Sequence, residues 1–343
     1  MTSSSTPDRP ADDHAADHAE RAAQAGAGTL LASACGDALG VPYEMSAVPA
    51  GPALMIGGGL GPYAPGEWSD DTQMAVCVAR VAASGADLRT RDALDAVALA
   101  FEGWIDAGAT DVGIQTAQVL RRSRRLPGRP AERLAAAARA LHAETGRTAG
   151  NGALMRTGPV GVAALDDREA TAQAARLVAE LTHTDPLAGE SCVLWCEAIR
   201  VAATEQRLDA AAGLDLLPPE RRDDWAAWIA QATAPGAAPG LRPNGFTVTA
   251  LQAAWHAIAT THDEQRSPTQ NLEDGLQAAV HLGGDTDTVA AIAGALLGAR
   301  WGVDAVPAVW RAAVHGWPGL TGEDLVSTGR TLALTGLGHG LGD

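Results

Sequence analysis

Four oxygen-bearing side chains occur in a row just before an apolar stretch of the sequence. In residues 66–73, GEWSDDTQ, these are Ser69, Asp70, Asp71 and Thr72. One interpretation is a helix cap, with Asp70 as N-cap and Gln73 three residues later, which contributes ~1 kcal/mol. A cap needs only one oxygen, however, and two adjacent carboxylates repel each other unless a cation lies between them. Taken alone, the segment favours the cap over a metal site.

A second segment of this kind is residues 281–288, HLGGDTDT, which also leads into an apolar helix. Gly283 and Gly284 allow a tight turn and a close approach of the backbone to a ligand. Asp285, Asp287 and Thr288 then present oxygens around the first helical turn. An EF-hand loop also begins D-x-D, but here Ala290 and Leu296 stand where that loop needs Gly and Glu, so this is not an EF-hand.

Two such segments in one chain change the balance toward metal binding. Both offer hard carboxylate and hydroxyl oxygens, which suit Mg²⁺, Mn²⁺ or Ca²⁺ better than Zn²⁺. Glu44 adds a fifth carboxylate, although alone it is a solvated loop residue behind Gly40 and Pro42. These acids could hold two ions, and helix N-termini also favour an anion. The combination indicates a substrate with phosphates or a sugar diol.

Two further segments carry weaker signals. Residues 150–159, GNGALMRTGP, form either a plain turn or a loop whose backbone N–H groups, around Asn151, face a ligand. Residues 182–186, THTDP, place His183 between two predicted helices, where a structural cap is the more common role and a ligand contact the rarer one.

The elements that must position these segments are almost all helical. Ala-rich windows with apolar residues at three- and four-residue spacing predict helices. The clearest windows are Asp71–Ser84, Asp92–Ala107, Ala131–Ala143, Arg168–Leu181, Pro186–Thr204, Phe246–Thr260 and Thr288–Trp301. Leu54–Ile56 is the one mild strand candidate, and Ala234–Asn244 is a surface loop. We expect a disordered acidic tail over 1–18 and one compact all-α domain over 19–343.

Composition excludes several functional classes. The 343 residues carry a net charge of −16 and no lysine, which excludes a Schiff-base enzyme and a Walker-A phosphate loop. A strongly acidic chain is also a poor partner for bulk nucleic acid or an anionic membrane. With 4% aromatic residues, the core must consist mainly of Ala, Leu and Val, which lets helices pack closely.

The four cysteines predict a reducing compartment rather than a disulfide or zinc framework. Cys35, Cys77, Cys192 and Cys196 lie in apolar stretches and form no CxxC pair. The chain has no long apolar run and no secretory h-region, so we expect a soluble, cytoplasmic protein without a membrane partner.

Taken together and in order, five segments resemble the ADP-ribosyl glycohydrolase family. They span about residues 28 to 301 and read GDALGVPYE (36–44), GEWSDDTQMA (66–75), GNGALMR (150–156), THTDP (182–186) and GGDTDTVAAIAGALLGA (283–299). The resemblance implies an all-α fold with two divalent cations, Mg²⁺ or Mn²⁺, at the bottom of a cleft. The metal ligands that it implies are Ser69, Asp70, Asp71, Asp285, Asp287 and Thr288. Ser69 replaces the usual Thr and keeps the hydroxyl.

The resemblance also implies how a substrate would bind. Residues matched to the ADP-ribose side are Glu44, Asn151, Gly152, Ala153, His183, Gly283 and Gly284. Asp111 resembles an acidic loop residue near the leaving group. The expected reaction is hydrolysis of the C1″ glycosidic bond of an ADP-ribosylated protein, nucleobase or small molecule, with release of ADP-ribose. Glu44, Asp70 or Asp71 would take the proton of the attacking water.

Two alternatives stay open at this point. A helical divalent-metal phosphohydrolase or nucleotide pyrophosphatase fits the carboxylates and the acidity, but not the GNGALMR segment. A non-catalytic ADP-ribose-binding or toxin-immunity protein need not keep every ligand, whereas all the matched carboxylates are present here. The acceptor could be arginine, serine, guanine, O-acetyl-ADP-ribose or another small molecule.

Overall fold

The computed structural model describes residues 11–337, and thirteen α-helices account for most of them. In chain order they are α1 Ala11–Gly40, α2 Asp70–Ala83, α3 Arg91–Asp106, α4 Ile114–Ser123, α5 Pro130–Thr145, α6 Arg168–Glu180, α7 Pro186–Glu205, α8 Pro219–Ala232, α9 Thr247–Thr261, α10 Pro268–His281, α11 Thr286–Trp301, α12 Ala308–Ala313 and α13 Gly322–Gly336. Two-residue strands, β1 His315–Gly316 and β2 Leu320–Thr321, pair antiparallel. Each predicted helical window overlaps one of these helices, and the all-α prediction is confirmed.

Helices α1 and α11 form the centre of the fold, because small residues let their backbones touch. A Cβ on Gly28 would lie 2.2 Å from the carbonyl oxygen of Gly298, and a Cβ on Gly298 would lie 2.0 Å from that of Gly28. Only glycine fits at such a contact. Helix α11 is buried over nearly its whole length, so its N-terminal residues are held firmly in the interior.

The core combines many small side chains with a few large ones. Buried alanines, leucines and valines form one continuous cluster, as the composition predicted. Trp68, Trp104, Trp195 and Trp225 are among the largest fully buried side chains. Large rings placed singly among small residues fill the space that Ala-rich helices would otherwise leave open.

Two expectations about non-helical segments need correction, and a third needs one addition. Helix α1 begins at Ala11, so the part of the predicted tail from 11 to 18 is helical, consistent with its high alanine content; residues 1–10 lie outside the described chain. Leu54–Ile56 is not a strand, because no neighbouring strand pairs with it and Leu54 and Ile56 are both exposed. The segment Ala234–Asn244 is mostly exposed, as expected of a surface loop, but it contains a 3-10 turn and its last residue is buried.

No helix among residues 11–337 is long and apolar enough to cross a membrane. The N-terminal ends of α2 and α11, the loop after α1, the segment at 150–155 and the loops before α4, α7 and α9 meet around one cleft. This meeting point brings the polar segments of the sequence together.

Candidate metal centre and ligand cleft

A cleft of about 400 Å³ lies where these loops and helix ends meet, a volume typical of small-molecule sites. It brings together nine of the residues singled out from the sequence. Its lining includes Glu44, Asp70, Asp111, Asn151, Gly152, His183, Asp285, Asp287 and Thr288. Segments separated by more than 200 residues in the chain therefore converge, which spacing alone did not establish.

The floor of the cleft holds two overlapping groups of carboxylates. One oxygen from each of Asp37, Asp71 and Asp287 lies within 4.8 Å of the others, and the same holds for Glu44, Asp285 and Asp287. Asp287 belongs to both groups. Two clusters of acidic oxygens that share one member offer the donor set and the spacing that hard divalent cations prefer.

Asp37 was not singled out from the sequence, although it lies in the GDALG segment. It is fully buried at the base of the cleft. Its Oδ1 accepts hydrogen bonds from the backbone N–H (2.9 Å) and hydroxyl (2.8 Å) of Ser69, and its Oδ2 accepts from the backbone N–H (3.0 Å) and hydroxyl (2.6 Å) of Thr72. Asp37 thus anchors the start of α2 and fixes the Ser69 hydroxyl, whose oxygen also lies 3.0 Å from Oδ2 of Asp71.

The start of α2 is not the capping box that the sequence suggested. Ser69, not Asp70, is the N-cap, and its own side chain accepts no capping hydrogen bond; Asp37, from α1, accepts from the backbone N–H of Thr72 instead. Gln73 instead accepts a hydrogen bond from the Trp104 indole at 2.6 Å. Neither carboxylate caps the helix. Within residues 11–337, Asp70 accepts only from the backbone N–H of Gly113 at 3.3 Å, and the buried Oδ1 of Asp71 has no hydrogen-bond partner. An orphaned buried carboxylate oxygen fits a cation ligand.

Burial raises the pKa of every carboxylate at this floor. The effect extends to Asp37, Asp70, Asp71, Asp285 and Asp287, with neighbouring acids adding to it for Asp70, Asp71 and Asp287. For Glu44 the pKa is raised to about 8, first by burial and then by Asp285. In the described residues no arginine or histidine forms a salt bridge with any of these acids, so the cluster lacks a protein counter-charge. Cations would supply it.

Asn244, at the end of the segment predicted as a surface loop, organises one wall of the cleft. Its side-chain oxygen accepts from the backbone N–H of Asp285 at 2.9 Å, and its amide donates to the carbonyl of Gly283 at 2.9 Å. Its own carbonyl accepts from the Asn151 amide at 3.0 Å, and Asn151 also donates to Asp285 at 2.7 Å. Asn244 therefore connects the 150s loop to the start of α11.

Several predicted site residues support the cleft without lining it. Ser69 and Asp71 are buried beneath its floor, and Ala153 is buried behind its wall. Gly283 and Gly284 adopt positive φ, and a Cβ on Gly284 would lie 2.3 Å from the Asn244 side-chain oxygen. The carbonyl of Gly284 accepts a hydrogen bond from Met45 at 2.7 Å, which holds the Glu44 loop in place. These glycines shape the loops rather than the surface of the cleft.

His183 forms part of the opposite wall, against the backbone of the GNGALMR segment. A Cβ on Gly152 would lie 3.2 Å from its Cε1. Burial, and next the nearby Arg156, lowers the pKa of the imidazole well below its usual range. His183 is therefore neutral at pH 7.

Comparisons with known proteins agree with this geometry. The sequence profile of ADP-ribosylglycohydrolase matches residues 18–338. The chain is 27% identical to the ADP-ribosylarginine hydrolase Tri1 of Pseudomonas putida (strain GB-1), over 85% of this chain and 74% of the relative. It is also 27% identical to the ADP-ribosyl-[dinitrogen reductase] glycohydrolase of Rhodospirillum rubrum, over 82% and 87% of the two chains.

A solved structure has the same fold. It is described as an ADP-ribosylglycohydrolase-related protein complex, and it superposes with a TM-score of 0.66 at 27% identity, covering 93% of this chain and 100% of the other. The profile match spans nearly the whole described chain and includes every segment that lines the cleft. The chain belongs to the ADP-ribosylglycohydrolase family and is a hydrolase that acts on ADP-ribosylated substrates.

Proposed function

We propose that this enzyme hydrolyses the C1″ glycosidic bond between ADP-ribose and an arginine side chain, with two divalent cations, Mg²⁺ or Mn²⁺, in the cleft. The observation that carries the proposal is the pair of carboxylate groups sharing Asp287 at the cleft floor. Support for arginine as acceptor comes from the ADP-ribosylarginine hydrolase that matches most of the chain. An ADP-ribosylated protein is accordingly the substrate that we test first.

Six side chains would hold the cations. They are Ser69, Asp70, Asp71, Asp285, Asp287 and Thr288. The unpartnered Oδ1 of Asp71 and the uncompensated charge of the cluster fit this role. When bound, the ions would supply the positive charge that orients the ribose diol and lowers the pKa of a water.

Glu44 is the carboxylate that we propose as general base. The sequence left Glu44, Asp70 and Asp71 as equal choices. Asp71 is covered by protein and does not line the cleft, and Asp70 belongs to the proposed ligand set. Glu44 lines the cleft from a loop outside that set, with an oxygen within 4.8 Å of Asp285 and Asp287 oxygens. From there it can remove a proton from a water attacking C1″ as positive charge develops on the ribose.

The other wall of the cleft would bind the rest of ADP-ribose. Asn151, Gly152 and His183 line this wall, and Asn151 is where the wall meets the acidic floor. Small residues and neutral donors on this wall allow a pyrophosphate to pass close to the backbone without meeting a carboxylate. Asp111 lies at the cleft near Asp70 and Glu44, where it would face the leaving guanidine.

A panel of ADP-ribosylated acceptors tests the proposal. Peptides modified on arginine or serine, DNA modified on guanine, and O-acetyl-ADP-ribose are incubated with the protein in Mg²⁺, in Mn²⁺ and in EDTA. We expect ADP-ribose from the arginine peptide, and none after EDTA or with Asp287→Ala. The matched control is Asp223→Ala, since Asp223 is an exposed acid on α8.

Each rival function gives a different product. AMP or phosphate would indicate a pyrophosphatase or phosphohydrolase. Tight binding of ADP-ribose without turnover of any acceptor would indicate a binding or immunity protein. Release of ADP-ribose only from serine, guanine or O-acetyl-ADP-ribose would show that arginine is the wrong acceptor, although the protein would still be an ADP-ribosyl hydrolase.

A further inference from the structure

Arg156 is a fully buried cation without an ionic partner among the residues that the structure describes. It follows the GNGALM segment, behind the wall of the cleft. Its Nη2 donates to the carbonyl of Val178 at 3.2 Å and to the Thr182 hydroxyl at 2.7 Å, and its Cζ lies 4.7 Å from the centre of the Phe101 ring. Its Nε and Nη1 have no hydrogen-bond partner, and no salt bridge to it occurs in the described chain. A buried, unpaired guanidinium costs free energy, so a specific role should offset that cost.

The Thr182 hydroxyl connects Arg156 to His183. Its Oγ1 lies 2.7 Å from Arg156 Nη2 and 2.7 Å from His183 Nδ1, and these are its only side-chain partners in the described residues. A guanidinium can donate hydrogen bonds but cannot accept them. The hydroxyl must therefore accept from Arg156, and its own hydrogen points to Nδ1.

This direction fixes the proton on the imidazole. If Nδ1 accepts a hydrogen bond, it carries no proton, and the proton of the neutral ring lies on Nε2. A proton on Nδ1 would leave the Thr182 hydrogen without an acceptor in a fully buried position, which is unfavourable. The lowered pKa of His183 agrees with a neutral ring.

The Nε2 end of the ring faces the cleft. It lies 3.3–3.4 Å from where side chains on Gly150 and Gly152 would begin, so the two glycines leave it uncovered. Within the described part of the chain, Nε2 has no protein hydrogen-bond partner, in contrast to Nδ1. A fixed N–H at the cleft surface suits an oxygen acceptor on a ligand.

We infer that Arg156 and Thr182 are positioning residues that hold His183 as a neutral Nε2–H donor toward an oxygen of the bound nucleotide. The inference deepens the proposed function, since the nucleotide is the ADP-ribose of that proposal. Arg156 acts from behind the wall and touches no ligand. Because Arg156 can only donate to the Thr182 hydroxyl, it orients the hydroxyl hydrogen toward His183, and this role accounts for a buried cation at this position.

The tautomer of His183 tests the inference without any ligand. Long-range ¹H–¹⁵N spectra of the labelled protein, with His183→Gln for assignment, should show a pyridine-type Nδ1 and a pyrrole-type Nε2. Thr182→Val removes the hydroxyl at nearly constant volume and should give a mixture of tautomers. Thr182→Ser keeps the hydroxyl and should restore the wild-type spectrum. Thr171→Val is the control: Thr171 is also a buried threonine, but it lies on α6, and its substitution should leave the His183 spectrum unchanged.

Calorimetric titration with ADP-ribose supplies the second measurement. We expect the Kd to rise about tenfold for Thr182→Val and to stay at the wild-type value for Thr182→Ser and Thr171→Val. Arg156→Met, where circular dichroism shows it folded, should also mix the tautomers; if it does not fold, the Thr182 series decides. A proton on Nδ1 in the wild type, or wild-type tautomer and Kd in Thr182→Val, would overturn the inference. If wild-type protein binds no ADP-ribose, the proposed function fails, and the spectra still decide whether the positioning pair exists.

Discussion

The backbone of Asp287 lies directly against Gly40, the last residue of α1. A Cβ on Gly40 would come within 2.3 Å of both the Cα and the N atom of Asp287. Thr286, the neighbouring residue, also donates its hydroxyl hydrogen to the Gly40 carbonyl at 2.8 Å. The close packing of α1 on α11 therefore extends to the carboxylate that both acidic groups share, so core packing and site geometry depend on the same contact.

Gly40→Ala should damage both stability and the acidic site. The added methyl group has to displace backbone rather than a flexible side chain, and overpacking of this kind costs about 1–3 kcal/mol or more. We expect a lower Tm by circular dichroism and weaker Mn²⁺ binding by calorimetry. Gly103→Ala is the control, because Gly103 lies in α3 with nothing within 4 Å of the added Cβ. It should leave Mn²⁺ binding unchanged and the Tm equal or higher; equal behaviour of the two variants would contradict the contact.

Divalent cations should stabilise the folded enzyme, and Asp71→Asn should abolish that effect. A ligand that binds only the native state contributes about 2.7 kcal/mol at 100 times its Kd. In EDTA, without bound cations, the expected order of stability is different. Asp71→Asn should then be at least as stable as the wild type, because the substitution removes one acid from a cluster of buried carboxylates that repel each other. Thermal melts with and without Mn²⁺ check both statements, with Asp223→Asn as control. An unchanged Mn²⁺ shift in Asp71→Asn would exclude this residue as a ligand.

The cysteines should be unreactive in the native enzyme. All four are buried and free, and burial raises the pKa of Cys192 to about 11 and that of Cys77 to about 12. At pH 8 the reactive thiolate is therefore a very small fraction of each group. A thiol-specific chromogenic reagent should label none within minutes in buffer and four in denaturant. Rapid labelling of Cys77 in the folded protein would show that α2 opens locally.

The helices and the ligand segments were predictable because their signals are local. Apolar spacing in Ala-rich windows identified the bounds of α2 and α7 to within one or two residues, since a helix that buries one face has apolar residues at every third or fourth position. Asp70, Asp285 and Asp287 were found because adjacent acids at a helix start are chemically unusual. The named windows did not include α4, α8, α10, α12 and α13, and of these α4 is rich in polar residues and α12 is only six residues long.

The residues that reasoning from sequence missed act through contacts distant in the chain. Asp37 looks like one polar residue in an apolar helix until Ser69 and Thr72 fold onto it. Arg156 is an ordinary surface residue type, and only its burial reveals a role. Asn244 ends a Pro- and Gly-rich segment whose composition is typical of a surface loop. In each case the hydrogen-bond partners lie 22 or more residues away, beyond any spacing rule.

Asn244→Ala should weaken the site although Asn244 belongs to none of the matched segments. The substitution leaves the backbone N–H of Asp285 and the carbonyl of Gly283 without partners, which costs about 1–3 kcal/mol for each buried group. Because those groups fix the start of α11, we expect a lower Tm together with weaker Mn²⁺ binding and slower ADP-ribose release. Asn271→Ala is the matched control: Asn271 is equally buried, but it bonds to the turn at 263–267. It should lower the Tm by a similar amount and leave Mn²⁺ affinity intact, whereas equal losses of Mn²⁺ affinity in both variants would reduce the role of Asn244 to general stability.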